Sequence, residues 1–327
     1  MSTSRSLRED DHAGFDRPRR RTKPRTKQRP DYSGAPLGRV IAVDRGRYRC
    51  QVDDRLVTAV RGRLIPRKGG VIVGDLVRLD GDVSGDEGTL ARIVEVEPRT
   101  TWLRRSADDA DTFERPIVAN ADQLMIVTAL ADPPPRMGMI DRILVAAYDA
   151  RIDPVLCLTK SDLASADALV AAYEPLGVPI VVTHPDADLA EIRDLLADQT
   201  TVLIGHSGVG KSTLVNRLVP DANRATGEVS EVTGKGRHTS TSAVAIELPH
   251  GGWIIDTPGV RSFGISHVRT ESILGAFPDM ADIAQDCPRG CPHDSSAVDC
   301  ELDAAVEDDR LSPKRLASLR RMERAFS

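Results

Sequence analysis

Residues 205–213 read GHSGVGKST and fit the phosphate-loop pattern G-x-x-x-x-G-K-[ST]. Gly205, Gly210, Lys211 and Ser212 are in register, with His206, Ser207, Gly208 and Val209 forming the turn and Thr213 following it. A short apolar run (TVLI, residues 201–204) precedes the loop and a helical pattern (TLVNRL, residues 213–218) follows it. A strand turning into a helix through glycines leaves several backbone N–H groups aimed at one spot. The helix dipole adds positive charge there, so the spot suits a di- or triphosphate. Lys211 is placed to reach the β- and γ-phosphates, and the Ser212 hydroxyl to take one Mg²⁺ position. About forty-five residues on, DTPG (residues 256–259) follows the apolar run WII. Asp256 there would hold a Mg²⁺-bound water, and the Gly259 N–H would meet the γ-phosphate.

A third motif, TKSD (residues 159–162), follows the run VLCL and resembles the guanine-reading Asn-Lys-x-Asp. Asp162 would accept hydrogen bonds from the guanine N1–H and N2 amino group. Adenine lacks that donor pair and would leave the carboxylate unpaired. Lys160 would lie along the base, with Thr159 and Ser161 completing the loop. Switch I is expected within GKGRHTST (residues 234–241), with Thr239 the first candidate for the γ-phosphate-dependent Mg²⁺ ligand and Thr241 the second. His238 could assist hydrolysis or contact RNA. Val260 stands after DTPG where many GTPases carry a water-orienting glutamine, so intrinsic hydrolysis is expected to be slow.

Cys287, Cys291, His293 and Cys300 supply three thiolates and one imidazole, the complement of a closed structural zinc site. Five cysteines, an odd number with three clustered late, make a poor disulfide framework and a better metal site in a reducing cytoplasm. The sequence has no run of eighteen apolar residues and no apolar segment near its start. Neither a membrane span nor a secretory signal is therefore expected, and the predicted location is cytoplasmic.

The elements that must position these residues are legible in outline. Strand and helix patterns alternate from residue 123 onward, with strands at 123–130, 154–158, 179–182, 201–204, 243–248 and 253–256 and helices at 139–150, 165–176 and 188–196. This predicts a mostly parallel, three-layer α/β sheet. The guanine motif precedes the phosphate loop and DTPG comes last, the reverse of a conventional GTPase. A compact sheet domain with neighbouring termini can be re-opened elsewhere without altering its site, so the order describes a circularly permuted P-loop GTPase. Upstream, five short β-rich runs at 38–43, 47–52, 56–60, 75–79 and 88–96 predict a small barrel, with an OB-fold the natural candidate. Arg45, Arg47, Arg49, Arg61, Arg63, Arg67 and Lys68 decorate it, either for RNA or as solvated charge. Residues 98–114 read as a charged linker. Residues 17–29 carry eight basic and no acidic residues, although the net charge is −5. Such a tail is expected to be disordered and to contact nucleic acid, or else merely to solubilise. A helix is predicted from Pro313 through Phe326, with Lys314, Arg315, Arg320, Arg321 and Arg324 facing RNA or solvent. The expected division is a basic tail (1–35), an RNA-binding OB-fold (36–98), the GTPase domain (99–268) and a zinc-binding helical module (269–327).

Together the barrel, the permuted motifs, GHSGVGKST, GKGRHT and the Cys₃His cluster resemble the ribosome small-subunit-dependent GTPases of the RsgA/YjeQ type. The stretch MIDRILVAAYDARIDPVLCLTKSDL is similar to that family's segment around its guanine motif. The resemblance covers residues 36–326. It implies GTP hydrolysis stimulated by the small (30S) ribosomal subunit, rRNA binding and a role in late maturation of that subunit. The cofactors it implies are one structural Zn²⁺ and Mg²⁺ with GTP, and the expected state is a monomer. Thr159 stands where the family usually has Asn, Thr183 and His184 where Ser-Ala is usual, and the cysteine spacing is slightly altered. Two other readings stay open: an RNA-binding assembly factor using GTP as a structural ligand, favoured by Val260, and a metal-delivery GTPase, favoured by the cysteine cluster.

Overall fold

The structure is a computed structural model and describes residues 31–66, 70–106, 114–220, 243–260, 263–265, 268 and 273–324. Strands β1 (Leu37–Asp44), β2 (Arg47–Val52), β3 (Arg55–Arg61), β4 (Leu76–Gly81) and β5 (Ala91–Val96) form the first unit. Their order β1-β2-β3-β5-β4 closes because β4 also pairs with β1; β3–β5 is the single parallel pairing among these strands. This is an OB-like barrel. Alternation drives it: Tyr48, Cys50 and Val52 of β2 point inward with Val40, Val57, Val77, Leu79 and Ile93, while Arg47, Arg49 and Gln51 point out.

Part of the segment expected to be a charged linker is instead a strand, residues 107–113 lying outside the described residues. Strand β6 (Trp102–Arg105) pairs antiparallel with β7 (Arg115–Ala119). Leu103 is fully buried beside Val118, and of the segment's charges Arg99, Arg104 and Glu114 are paired. Arg99 makes a two-point contact with the fully buried Asp75, at 2.7 and 2.9 Å. Arg104 pairs with Glu114 (2.7 Å) and Asp149 (3.3 Å), and both arginines lie over Trp102.

The α/β unit runs β8 (Gln123–Ala129), α1 (Met137–Asp149), β9 (Asp153–Thr159), α2 (Asp167–Tyr173) with a 3-10 turn (Glu174–Leu176), β10 (Ile180–Val182), α3 (Ala190–Leu196), β11 (Thr200–Ile204), α4 (Lys211–Leu218), β12 (Val244–Glu247) and β13 (Trp253–Asp256). The order is β10-β9-β8-β11-β13-β12, parallel except for β12. Alternate residues of β8 feed the two faces: Leu124 and Ile126 pack with α1 and α2, Met125 and Val127 with α3 and α4. β12 also pairs with β1 through Ala42 and Val244, so barrel and α/β unit share one hydrogen-bonded sheet of eleven strands.

Among the described residues, three helices with full bounds follow: α5 (Pro278–Ala284), α6 (Glu301–Glu307) and α7 (Pro313–Glu323). α7 starts at Pro313 as expected; residues 325–327 lie outside the described residues. Its basic residues differ from expectation. Arg315 binds Asp279, Arg320 binds Asp303 and Arg321 binds Asp141, so three of the five are paired within the chain and largely covered. Leu316, Leu319 and Met322 bury the intervening face, while Lys314 and Arg324 remain exposed.

Candidate nucleotide and metal sites

The parallel strands bring three motifs to one edge. Thr159–Asp162, the 205–213 loop and Asp256–Gly259 follow the C-terminal ends of β9, β11 and β13, the side on which open α/β sheets bind ligands. Gly210 caps α4 with φ +95°, a conformation that penalises any side chain. Gly259 approaches the loop so closely that a Cβ there would lie 3.2 Å from Ser207 N. The turn after β13 is fixed by the buried Thr257 hydroxyl, which donates to Leu203 O at 2.7 Å, and by Val260 N–H donating to Gly205 O at 3.2 Å. Ser207, Gly208, Ser212 and Thr213 are exposed, His206 is half-buried with its ring against Ser207 O, and Val209 is buried.

Lys211 is buried and donates from Nζ to Gly205 O at 3.1 Å. Burial lowers its pKa, with Asp256 opposing. Burial likewise raises the pKa of Asp256, against the pull of Lys211 and the Thr257 N–H. Asp256 Oδ1 is buried with no hydrogen-bond partner among the described residues. A buried carboxylate oxygen left without a donor fits a hard cation such as Mg²⁺, which takes oxygen ligands. Val260 is buried with Phe263 and Ile265, so its side chain belongs to the core. His238, Thr239 and Thr241 lie outside the described residues.

Thr159 does more than its place in the guanine motif predicts. Its buried hydroxyl donates to Val209 O at 2.6 Å, with Thr128 O at 3.2 Å, tying the 159–162 loop to the 205–213 loop. Lys160, at φ +60°, donates from Nζ to Asp132 O. Ser161 N–H donates to Thr183 O at 3.2 Å, so residues 183–184 border this loop, and Arg217 holds the same segment through His184 O. The Asp162 carboxylate is exposed and has no protein partner among the described residues, as a group reserved for a ligand would be. The sequence reading missed Thr257, Asp132 and Arg217, because each acts through a backbone carbonyl distant in sequence.

Cys287, Cys291, His293 and Cys300 converge, all their ligand atoms lying within 4.8 Å of one another. Cys287 Sγ is 3.6 Å from His293 Nδ1 and 4.0 Å from Cys300 Sγ, and Cys300 Sγ is 3.8 Å from His293 Nδ1. Metal–sulfur bonds of about 2.3 Å give tetrahedral edges of about 3.8 Å, so the donor set fits a tetrahedral ion. Glu301 N–H donates to Cys287 Sγ at 3.3 Å, and Arg320 donates to His293 O at 2.9 Å, orienting two of the four. The cluster could hold a metal ion.

These elements define a P-loop GTPase with its motifs in permuted order behind an OB-like barrel. The family model described as RsgA GTPase matches residues 96–266. The chain is 40% identical over 246 residues, 72% of its length and 71% of the relative's, to "Small ribosomal subunit biogenesis GTPase RsgA" of Pseudomonas aeruginosa. The protein of that name in Azotobacter vinelandii is 41% identical over 237 residues, covering 70% of this chain and 68% of its own. Among solved structures, YloQ, titled a circularly permuted GTPase, matches with a TM-score of 0.63 and 26% identity over 89% of this chain and 94% of its own. YjeQ from Thermotoga maritima matches in fold at a TM-score of 0.66, with 24% identity over 89% of this chain and 98% of its own. The chain belongs to the RsgA GTPase family and is a GTP-hydrolysing enzyme.

Proposed function

We propose that this chain hydrolyses GTP as a biogenesis factor of the small ribosomal subunit, acting as a cytoplasmic monomer that binds rRNA. The observation that carries the reading is the set of three motifs at one sheet edge, in a chain whose relatives carry that function in their names. The proposed division is a basic arm (1–35), an RNA-binding barrel (36–98), the GTPase domain (99–268) and a metal-binding module (269–327). Among the described residues no helix is long and apolar enough to cross a membrane.

In this reading the 205–213 loop cradles the phosphates, Lys211 neutralises their charge, and Thr159 to Asp162 read guanine. Ser212 and Asp256 would hold Mg²⁺, with Thr239 the proposed third ligand from switch I. The ion those residues would hold would supply charge compensation at the phosphate oxygens. Gly259 offers its N–H toward the γ-phosphate, and His238 is the proposed switch residue for hydrolysis or RNA.

With Val260 in the core, water lacks the usual orienting amide, so free turnover should be slow and stimulation must come from a partner. Arg45, Arg47 and Arg63 are exposed on the barrel, and Lys314 and Arg324 on α7. Small subunits are expected to raise GTP turnover many-fold while large subunits do not, and rising salt should abolish stimulation before nucleotide binding, since phosphate contacts release counterions. An unchanged rate with small subunits at low salt overturns the reading in favour of a passive, GTP-bound assembly factor.

The metal is proposed to be one structural Zn²⁺. Four protein ligands close the coordination shell, which argues against metal delivery. Cys291→Ser should remove most of the zinc measured by elemental analysis and lower the melting temperature of the C-terminal module. Full-length, folded protein purified without zinc would refute the assignment.

A further inference from the structure

We propose that Arg321, far from the three nucleotide motifs, is a positioning residue for the guanine base. The inference rests on reading residues 159–162 as the base site. Arg321 donates to both oxygens of the buried Asp141 on α1, at 3.3 and 3.2 Å, and to Ala172 O on α2 at 3.2 Å. Its guanidinium lies 4.7 Å from the ring centre of Tyr173 on α2, whose hydroxyl donates to Asp141 at 3.0 Å. One side chain of α7 therefore clamps α1 to α2. Its neighbours anchor the clamp: Arg315 binds Asp279 and Pro175 O, and Arg320 binds Asp303 and His293 O.

Each clamped helix is preceded by a loop that, in this reading, borders the base. Pro133, Pro134 and Arg136, which lead into α1, border a cleft against His206 and Val209 of the phosphate loop. Residues 160–166, which lead into α2, carry Asp162. The two loops meet where Lys160 donates to Asp132 O. The clamp at the helices and the Lys160 contact at the loops thus close one circuit on the α2 side of Asp162, while Thr159 and Ser161 hold the β9 side of the same loop. Loosening α1 from α2 lets Asp162 drift, and a hydrogen-bonding carboxylate tolerates little displacement. Lys211, Ser212 and Asp256 sit on α4 and β13, outside this circuit, so binding is affected and the chemical step is not.

The test uses the full-length protein with fluorescent GDP for affinity and saturating GTP for kcat. Arg321→Ala leaves Asp141 buried without its cation and lowers stability, so the double variant Asp141→Asn with Arg321→Leu, which leaves no charge unpaired, is measured beside it. Both should raise the GDP Kd about tenfold while kcat at saturating GTP stays within about twofold. Ala317→Ser, exposed on the same helix, should change neither. A lower melting temperature with unchanged Kd in both Arg321 variants overturns the proposal, as does a fall in kcat at unchanged Kd. A wild-type chain that binds no guanine nucleotide overturns the site reading itself, and this inference with it.

Discussion

Asp256→Asn is expected to lower magnesium-dependent GTP turnover by about 100-fold while raising the melting temperature of the nucleotide-free protein at pH 7. The opposite signs share one cause. Asp256 has a buried oxygen with no donor, and burial holds its pKa above the ordinary aspartate value. An acid whose folded pKa exceeds its unfolded one binds more protons when folded in the window between the two. Folding stability therefore falls as pH rises through that window, and the penalty is present above the folded pKa. Asparagine removes the charge and relieves a cost on the order of 1 kcal/mol. It also removes the anionic ligand that the bound cation needs. Calorimetry with and without Mg²⁺ and GDP, beside turnover assays, checks both halves. A variant that is less stable at pH 7 and retains full magnesium-dependent activity would show that Asp256 is an ordinary structural carboxylate.

Asp162→Asn should weaken GTP binding by roughly 100-fold and shift preference toward xanthosine nucleotides. The carboxylate is exposed and has no protein partner among the described residues, so the change disturbs no internal contact and stability should hold. In guanine the ring N1–H and amino group donate to a carboxylate; asparagine presents one acceptor and one donor, which suits the extra carbonyl of xanthine. Competition binding with GTP, ATP and the xanthosine analogue measures the switch. Equal affinity of the unmodified chain for GTP and ATP would be inconsistent with this role for Asp162.

The sequence by itself determined whatever depends on neighbours along the chain. The phosphate loop, DTPG and TKSD are contiguous, and their chemistry follows from residue type and spacing. The barrel strands show because a half-buried strand repeats every two residues, as in β2. The permuted order is a property of the chain alone. Tertiary structure decided what depends on distant partners. Residues 102–105 looked like a charged linker until Leu103 met Val118 and Arg104 met Glu114 and Asp149. The basic helix α7 looked free until its arginines found Asp279, Asp303 and Asp141, the last of them 180 residues away. A charge run carries no local mark of whether its counter-ions will be phosphates, water or carboxylates of the same chain. The join of β1 to β12 and the link from Thr159 to Val209 O are equally silent in sequence, because a backbone acceptor is common to every residue and only the fold selects which one a donor meets.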